Sequence, residues 1–174
     1  MNTTIYLTLF ILWILVLCNS YMLIKLFKAV AKLNKKELPK SFAGIAKGSL
    51  LPIKNYKNLD MKAFDYTSKK NYIVLFGSYG CKVCHQIYPL FNTLKQEKTG
   101  VIIQIFMLAT EDQAKEISAQ YDIPTDHITI ISQNDLPSLG ITGFPFAYYL
   151  SSNGNVINKG LVNFKNDFDI LMSA

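Results

Sequence analysis

The chain has 174 residues, half of them hydrophobic, and a formal net charge of +6, which suits one ordinary domain plus a short extra segment. All eighteen basic residues are lysine, so the bidentate fork that favours base and phosphate recognition is missing. Seven of those lysines lie between Lys25 and Lys47 against one acid, Glu37, while from residue 48 onward eleven lysines face eleven acids; the basic excess belongs to one stretch, and nucleic acid binding is excluded as its explanation.

From Thr4 to Ile24 there is no charged side chain, and Ile5, Leu7, Leu9, Phe10, Ile11, Leu12, Trp13, Ile14, Leu15, Val16 and Leu17 make the stretch strongly apolar. About 20 such residues cross a bilayer as a helix. No basic start precedes the span and no small-residue cleavage site surrounds Cys18-Asn19-Ser20, so residues 1–24 read as an uncleaved transmembrane anchor. Leu17 is too large for the residue that precedes a lipidated cysteine, and Cys18 reads as one more apolar helix residue.

Residues 25–47 form a basic juxtamembrane helix and linker. Ile24, Leu26, Phe27, Val30, Ala31 and Leu33 recur among the lysines at roughly helical spacing, which fits either a helix lying on an anionic membrane surface or a solvated linker helix. Lysines 25, 28, 32, 35 and 36 follow the span and none precedes it, so by the positive-inside rule the rest of the chain belongs in the cytoplasm. Leu38-Pro39 and the breakers from Gly44 to Pro52 place the start of a folded domain near Gly48, giving a domain of residues 48–174.

Within it, Tyr72 to Phe76 is a continuous apolar run fit for a strand buried on both faces, and Gly77 to Gly80 break it before Cys81. Val83, Ile87, Leu90, Phe91 and Leu94 then recur at three and four, the period of a helix with one buried face. Val101 to Leu108 reads as a strand, Glu111 to Tyr121 as a polar helix and His127 to Ile131 as a further strand, an alternation that implies a parallel core. Phe146 to Leu150 and Asn155 to Leu161 flank Ser151-Ser152-Asn153-Gly154, where Asn-Gly favours an antiparallel hairpin, and Phe164 to Met172 closes as a helix.

Three cysteines cannot all pair with one another, and Cys81 and Cys84 stand at the C-x-x-C spacing of a reactive pair. A thiolate at the start of a helix faces unpartnered N–H groups and the positive end of the helix dipole, so Cys81 is expected to have a lowered thiol pKa, with Lys82 and His85 as further tuning groups. Cys84, three residues on and facing inward, resolves a mixed disulfide formed at an exposed Cys81. Zinc uses the same spacing, but it wants four ligands and only His85 and His127 remain outside the span. A copper-handling dithiol lacks any Met-rich or further Cys/His cluster. No metal and no cofactor beyond the redox-active cysteine pair is expected.

Pro89 falls five residues after Cys84 in a helical pattern and should kink the helix. Phe144-Pro145, preceded by Gly143, opens a strand where a cis proline would leave an unpaired backbone edge beside the cysteines, able to pair with an extended substrate chain. Phe144, Pro145, Tyr79 and Gly80 are thus the candidate substrate-binding residues.

The pattern of Cys81-Lys82-Val83-Cys84, Pro89 and Phe144-Pro145 resembles the thioredoxin-like superfamily over residues 50–174. That resemblance implies an α/β fold with a central mixed sheet flanked by helices, here carrying an inserted helix-strand unit. Within the superfamily the chain looks closest to the membrane-anchored accessory proteins of methylamine utilisation, the MauD type, through its N-terminal span, the Ser-x-x-Cys-x-Val-Cys stretch from Ser78 to Cys84, the Gly-x-Pro before a strand, and Lys159-Gly160-Leu161-Val162-Asn163 before the final helix. This closer resemblance implies a single-pass membrane protein whose catalytic domain is extracytoplasmic, against the lysine count. Its client is an exported, cysteine-containing protein, and a membrane redox partner recycles the active site. The chain departs from its relatives in Gly80, where many carry tryptophan, and in Leu75, where thioredoxin keeps a buried acid that relays a proton for the second thiol. The reading from a different class is a membrane-bound assembly factor in which the cysteines are dispensable.

Overall fold

A computed structural model of the chain describes residues 2–34, 44–66 and 69–173. The expected features at Lys35, Lys36 and Leu38-Pro39 lie outside the described residues. The chain divides into two compact units, Met1–Lys36 and Glu37–Ala174.

The first unit is one helix, α1 (Asn2–Asn34). Its stretch Ile5–Leu26 is long and apolar enough to cross a membrane, with a mean hydropathy of 2.2 and none of that window buried. No break falls after Ile24: the helix runs on to Asn34, and Lys25 and Lys28 are exposed on it.

In the second unit, β1 (Asn71–Ser78), β2 (Val101–Leu108), β3 (Ile128–Ile131), β4 (Phe146–Leu150) and β5 (Val156–Leu161) form one sheet in the order β3-β2-β1-β4-β5. β2 lies parallel to β1 and β3, while β4 is antiparallel to β1 and β5. The helices are α2 (Cys84–Ile87), α3 (Leu90–Glu97), α4 (Glu111–Tyr121), α5 (Leu136–Leu139) and α6 (Lys165–Met172). The strand-helix-strand half, the inserted α4 and β3, the hairpin and the last helix all stand where the patterns place them. Only α5 has no counterpart among the predicted elements.

Successive residues of a strand point to opposite faces, and both faces of β1 are buried. Ile73 and Leu75 join Ile103, Ile105, Met107, Ile87, Phe91, Leu94, Ala114, Ile117, Phe168 and Leu171 in one core, so α2, α3, α4 and α6 all cover the same face. Tyr72, Val74 and Phe76 join Phe106, Phe146, Tyr148 and Leu150 in a second core on the other face. The helical cover of this second face, among the described residues, is the short α5. The face is covered by Leu51, Ile53 and Phe64 from the segment before β1, together with Leu139 and Ile141 around α5.

The segment is fastened to the sheet by backbone pairing: Gly48 N–H donates to the Val156 carbonyl at 2.8 Å, Val156 N–H to Ser49 at 2.9 Å and Leu51 N–H to Gly154 at 3.1 Å. The Tyr148 hydroxyl adds a link, accepting from the Ile45 N–H at 2.7 Å and donating to the Leu139 carbonyl at 2.8 Å. Desolvation pushes its phenol up to about 12.

Candidate active site

β1 delivers the chain to the cysteines along a buried central strand, and the turn after Ser78 lifts it out of the sheet. Gly80 is exposed, Cys81 half-buried and Cys84 fully buried. The two sulfurs are joined in a disulfide. Cys81 is thus less open than its expected exposure at a helix start, because it packs against the helix-side core. The helix proper begins at Cys84 with Val83 as its N-cap, and Cys81 stands in the turn ahead of it: the Cys81 carbonyl accepts from His85 N–H at 3.3 Å, and the Cys84 N–H points at the Cys81 Sγ at 3.2 Å. Val83 sits in the turn before that helix and is 39% exposed rather than part of the buried stripe. Lys82 beside it is exposed.

Pro89 separates α2 from α3, and the backbone at both Tyr88 and Pro89 keeps helical angles, so the two pieces continue one another across the missing N–H of the proline. This leaves Ile87, Tyr88, Phe91 and Leu94 buried beneath the cysteine turn.

Side chains from that kinked helix return to the turn. The Tyr88 hydroxyl donates to the Ser78 carbonyl at 3.3 Å, and burial pushes its phenol well above the usual range. Tyr88 fits there because Gly77 has no Cβ: a methyl at residue 77 would collide with the Tyr88 hydroxyl and approach Cζ to 3.1 Å. His85 reaches the next carbonyl, with Nε2 2.8 Å from the oxygen of Tyr79, and its Nδ1 is 2.8 Å from the hydroxyl of Tyr121 on α4. Tyr79 itself turns its hydroxyl to Glu116 of α4 at 2.9 Å, and that bond raises its phenol pKa. Among the described residues no hydrogen bond links His85 to either sulfur. Tyr121, Tyr88 and Glu116 are not singled out by their spacing, since each meets the turn only through the tertiary fold.

The second wall of the site comes from the start of β4. Phe76 pairs with Phe146 in the antiparallel register, so the residues before Phe146 continue alongside the end of β1 from which the cysteine turn springs. The Phe144–Pro145 peptide bond is cis. The Pro145 carbonyl accepts from Val162 N–H at 3.2 Å, whereas the backbone of Phe144 makes no hydrogen bond to another described residue. A cleft of about 340 Å³ opens beside it, lined by Leu136, Pro137, Ile141, Thr142 and Phe144 among others. The structure thus brings Cys81, Cys84, Tyr79, Gly80, Phe144 and Pro145 to one end of the sheet, at the carboxyl end of β1. Among the described residues no group of three or more His, Cys, Asp or Glu is placed to hold a metal ion.

No protein-family model matches the sequence, and no curated protein matches it. Solved structures do. The thioredoxin domain of a thiol-disulfide oxidoreductase from Bacteroides vulgatus is similar with a TM-score of 0.60 at 20% identity, covering 72% of this chain and 96% of that one. A thiol:disulfide interchange protein of the thioredoxin family from Chlorobium tepidum gives a TM-score of 0.58 at 22% identity, over 73% and 96% of the two chains. StoA from Bacillus subtilis gives 0.55 at 12% identity, over 66% and 91%. At such identities what is shared is the fold, and the sheet order, the cysteine turn after β1 and the hairpin with its closing helix are its parts: the second unit of this chain has the thioredoxin-like fold.

Proposed function

We propose that the protein is a membrane-tethered thiol-disulfide oxidoreductase acting on cysteine-containing client proteins, with Cys81 as the attacking sulfur and Cys84 as the resolving one. The observation that carries this is the asymmetry of the pair: Cys84 is fully buried, while Cys81 is half-buried with its Sγ set before the Cys84 N–H at 3.2 Å. An N–H aimed at sulfur favours the thiolate, which is the nucleophile in exchange.

In the reducing direction the Cys81 thiolate attacks one sulfur of a client disulfide and expels the other as a client thiolate, leaving a mixed disulfide. The Cys84 thiolate then attacks the Cys81 sulfur and releases the second client thiolate, so two electrons pass to the client and the Cys81–Cys84 disulfide is restored. Oxidation of a client runs the same steps in reverse. The Phe144 backbone beside Pro145, bonded to no other described residue, supports pairing with an extended client segment, and Gly80 keeps the approach to Cys81 open. Lys82 adds positive charge near the thiolate. Buried Leu75, 4% exposed, stands where an acid would relay the Cys84 proton, which favours oxidase or isomerase work over reduction.

We further read the chain as an accessory protein of the MauD type, anchored through Ile5–Leu26 with its second unit extracytoplasmic and recycled by a membrane redox partner. The full chain in detergent, equilibrated in glutathione buffers with thiol trapping, tests the chemistry and the direction. A potential near roughly −270 mV marks a reductase and one near roughly −120 mV an oxidant. Cys81→Ser should abolish dithiol-disulfide turnover and Cys84→Ser should accumulate mixed disulfide; turnover retained in Cys81→Ser would sink the scheme. Labelling of the reduced cysteines in intact cells by a membrane-impermeant maleimide tests the topology, and protection from the reagent would place the second unit in the cytoplasm.

A further inference from the structure

Resting on that reading, we infer that His85 is a positioning residue which ties the turn presenting Cys81 to helix α4, and that the redox equilibrium of the cysteine pair is set in part through the Tyr121 hydroxyl.

A backbone carbonyl only accepts, so the 2.8 Å contact with Tyr79 requires the hydrogen on Nε2. In the neutral ring Nδ1 is then an acceptor, and the Tyr121 hydroxyl at 2.8 Å donates to it. One imidazole thus joins two elements whose anchoring residues are 42 positions apart in sequence, Tyr79 and Tyr121. The link does not stand alone. Tyr79 is held to the same helix by its own hydroxyl on Glu116 at 2.9 Å. The rings of Tyr88 and Tyr121 pack against His85 at 5.8 and 5.9 Å and against each other at 5.7 Å.

What the link holds is the backbone two residues before Cys81. The Cys81 N–H donates to the Ser78 carbonyl at 3.2 Å and its Sγ faces the Cys84 N–H, so the tilt of the Tyr79–Gly80 peptide decides whether sulfur and N–H stay aligned. An aligned N–H favours a Cys81 thiolate and with it the reduced pair; a loosened turn favours the disulfide. With both nitrogens bound elsewhere, His85 acts through this turn rather than by a hydrogen bond to sulfur.

The test uses the full chain in detergent, with the disulfide equilibrated against glutathione and the Cys81 pKa read from thiolate absorbance. Tyr121→Phe keeps the ring and removes one hydrogen bond of the kind that contributes a factor of about five. It should displace the equilibrium about fivefold toward the disulfide and raise the Cys81 pKa. His85→Phe should do so at least as strongly, and because the hydroxyl acts through the imidazole, adding Tyr121→Phe to His85→Phe should change nothing more. A merely structural role would lower the melting temperature and leave the glutathione equilibrium in place. An equilibrium within about twofold of the parent in Tyr121→Phe, or full additivity in the double variant, overturns the inference. If His85→Phe fails to fold, Tyr121→Phe alone decides. A parent whose cysteines do not exchange with glutathione at all refutes the function itself, a result distinct from an exchanging parent whose variants do not shift.

Discussion

Gly77→Ala is the most exacting perturbation of the site's foundations. Gly77 lies in β1, beneath the turn, and its missing Cβ leaves room for Tyr88, which is 1% exposed and buried against the strand. A methyl there would meet the Tyr88 hydroxyl first, with Cζ at 3.1 Å and Cε1 at 3.2 Å behind it. The ring is buried and packed by His85 and Tyr121 at 5.8 and 5.7 Å, and overpacking of such a site costs about 1–3 kcal/mol. Alanine recovers about 0.4–1 kcal/mol by restricting the unfolded chain, leaving a net loss of about 1–2 kcal/mol. For a domain of this size that lowers the melting temperature by about 4–8 °C. Tyr88→Phe loses only a 3.3 Å hydrogen bond to a Ser78 carbonyl that also accepts from Cys81, so it costs about 0.5 kcal/mol. Removing the hydroxyl takes away the atom the methyl strikes, so the double variant should be more stable than the sum of the two losses by about 1 kcal/mol, read from urea unfolding of all four proteins. Losses that add within about 0.3 kcal/mol would show that the methyl is accommodated elsewhere and refute the packing argument.

Thr110→Ala removes the hydroxyl half of a capping box at the start of α4, where Gln113 N–H donates to the Thr110 hydroxyl at 3.4 Å, and leaves the backbone half, in which the residue-110 N–H donates to the Gln113 side chain at 3.0 Å; a loss of about 1 kcal/mol is expected in chemical unfolding. Phe106→Ala should cost about 3–5 kcal/mol by calorimetry or denaturant, because its fully buried ring packs on Phe76, Tyr56 and Phe64 at 5.3, 5.7 and 6.2 Å. Asp135 is held below the usual carboxylate range, chiefly by hydrogen bonds from Ser132 and also by one from Tyr56. A folded-state pKa below the unfolded one adds stability that is complete above the ordinary carboxyl range and fades as pH falls through the folded value. Asp135→Asn should therefore flatten the acid limb of stability against pH, and an unchanged limb would deny Asp135 that role.

The core-forming residues are legible in the sequence because their periods are clean. Ile87, Phe91 and Leu94 are buried as a helical stripe requires, and Tyr72 to Phe76 is buried on both faces as an unbroken apolar run suggests. Val83 breaks the stripe because the helix starts one residue after it, and periodicity carries no mark of where a helix begins. The four-residue α5 is too short to show a period. The stretch from Gly44 to Pro52 has the breakers of a linker, yet Leu51 within it and Ile53 just after it, at 0% exposure, anchor the second core. Of the site, the cysteines and the Phe144-Pro145 step are visible as local motifs. The joining of His85 to Tyr121, 36 residues on, is not, since a hydrogen bond between distant side chains leaves no pattern along the chain.

β5 ends the sheet, and an outermost strand offers unpaired N–H and C=O groups to any passing chain. Here the residues that follow Gly44 lie along the beginning of that strand, with Gly48 and Ser49 bonded to Val156. The position of a proteolytic cut in this stretch is therefore not neutral. A cut ahead of Gly48 would leave these bonds to the start of β5 in place. A cut just after Leu51 would strip the margin and unfasten the stretch that carries Ile53, leaving an open edge that invites edge-to-edge aggregation.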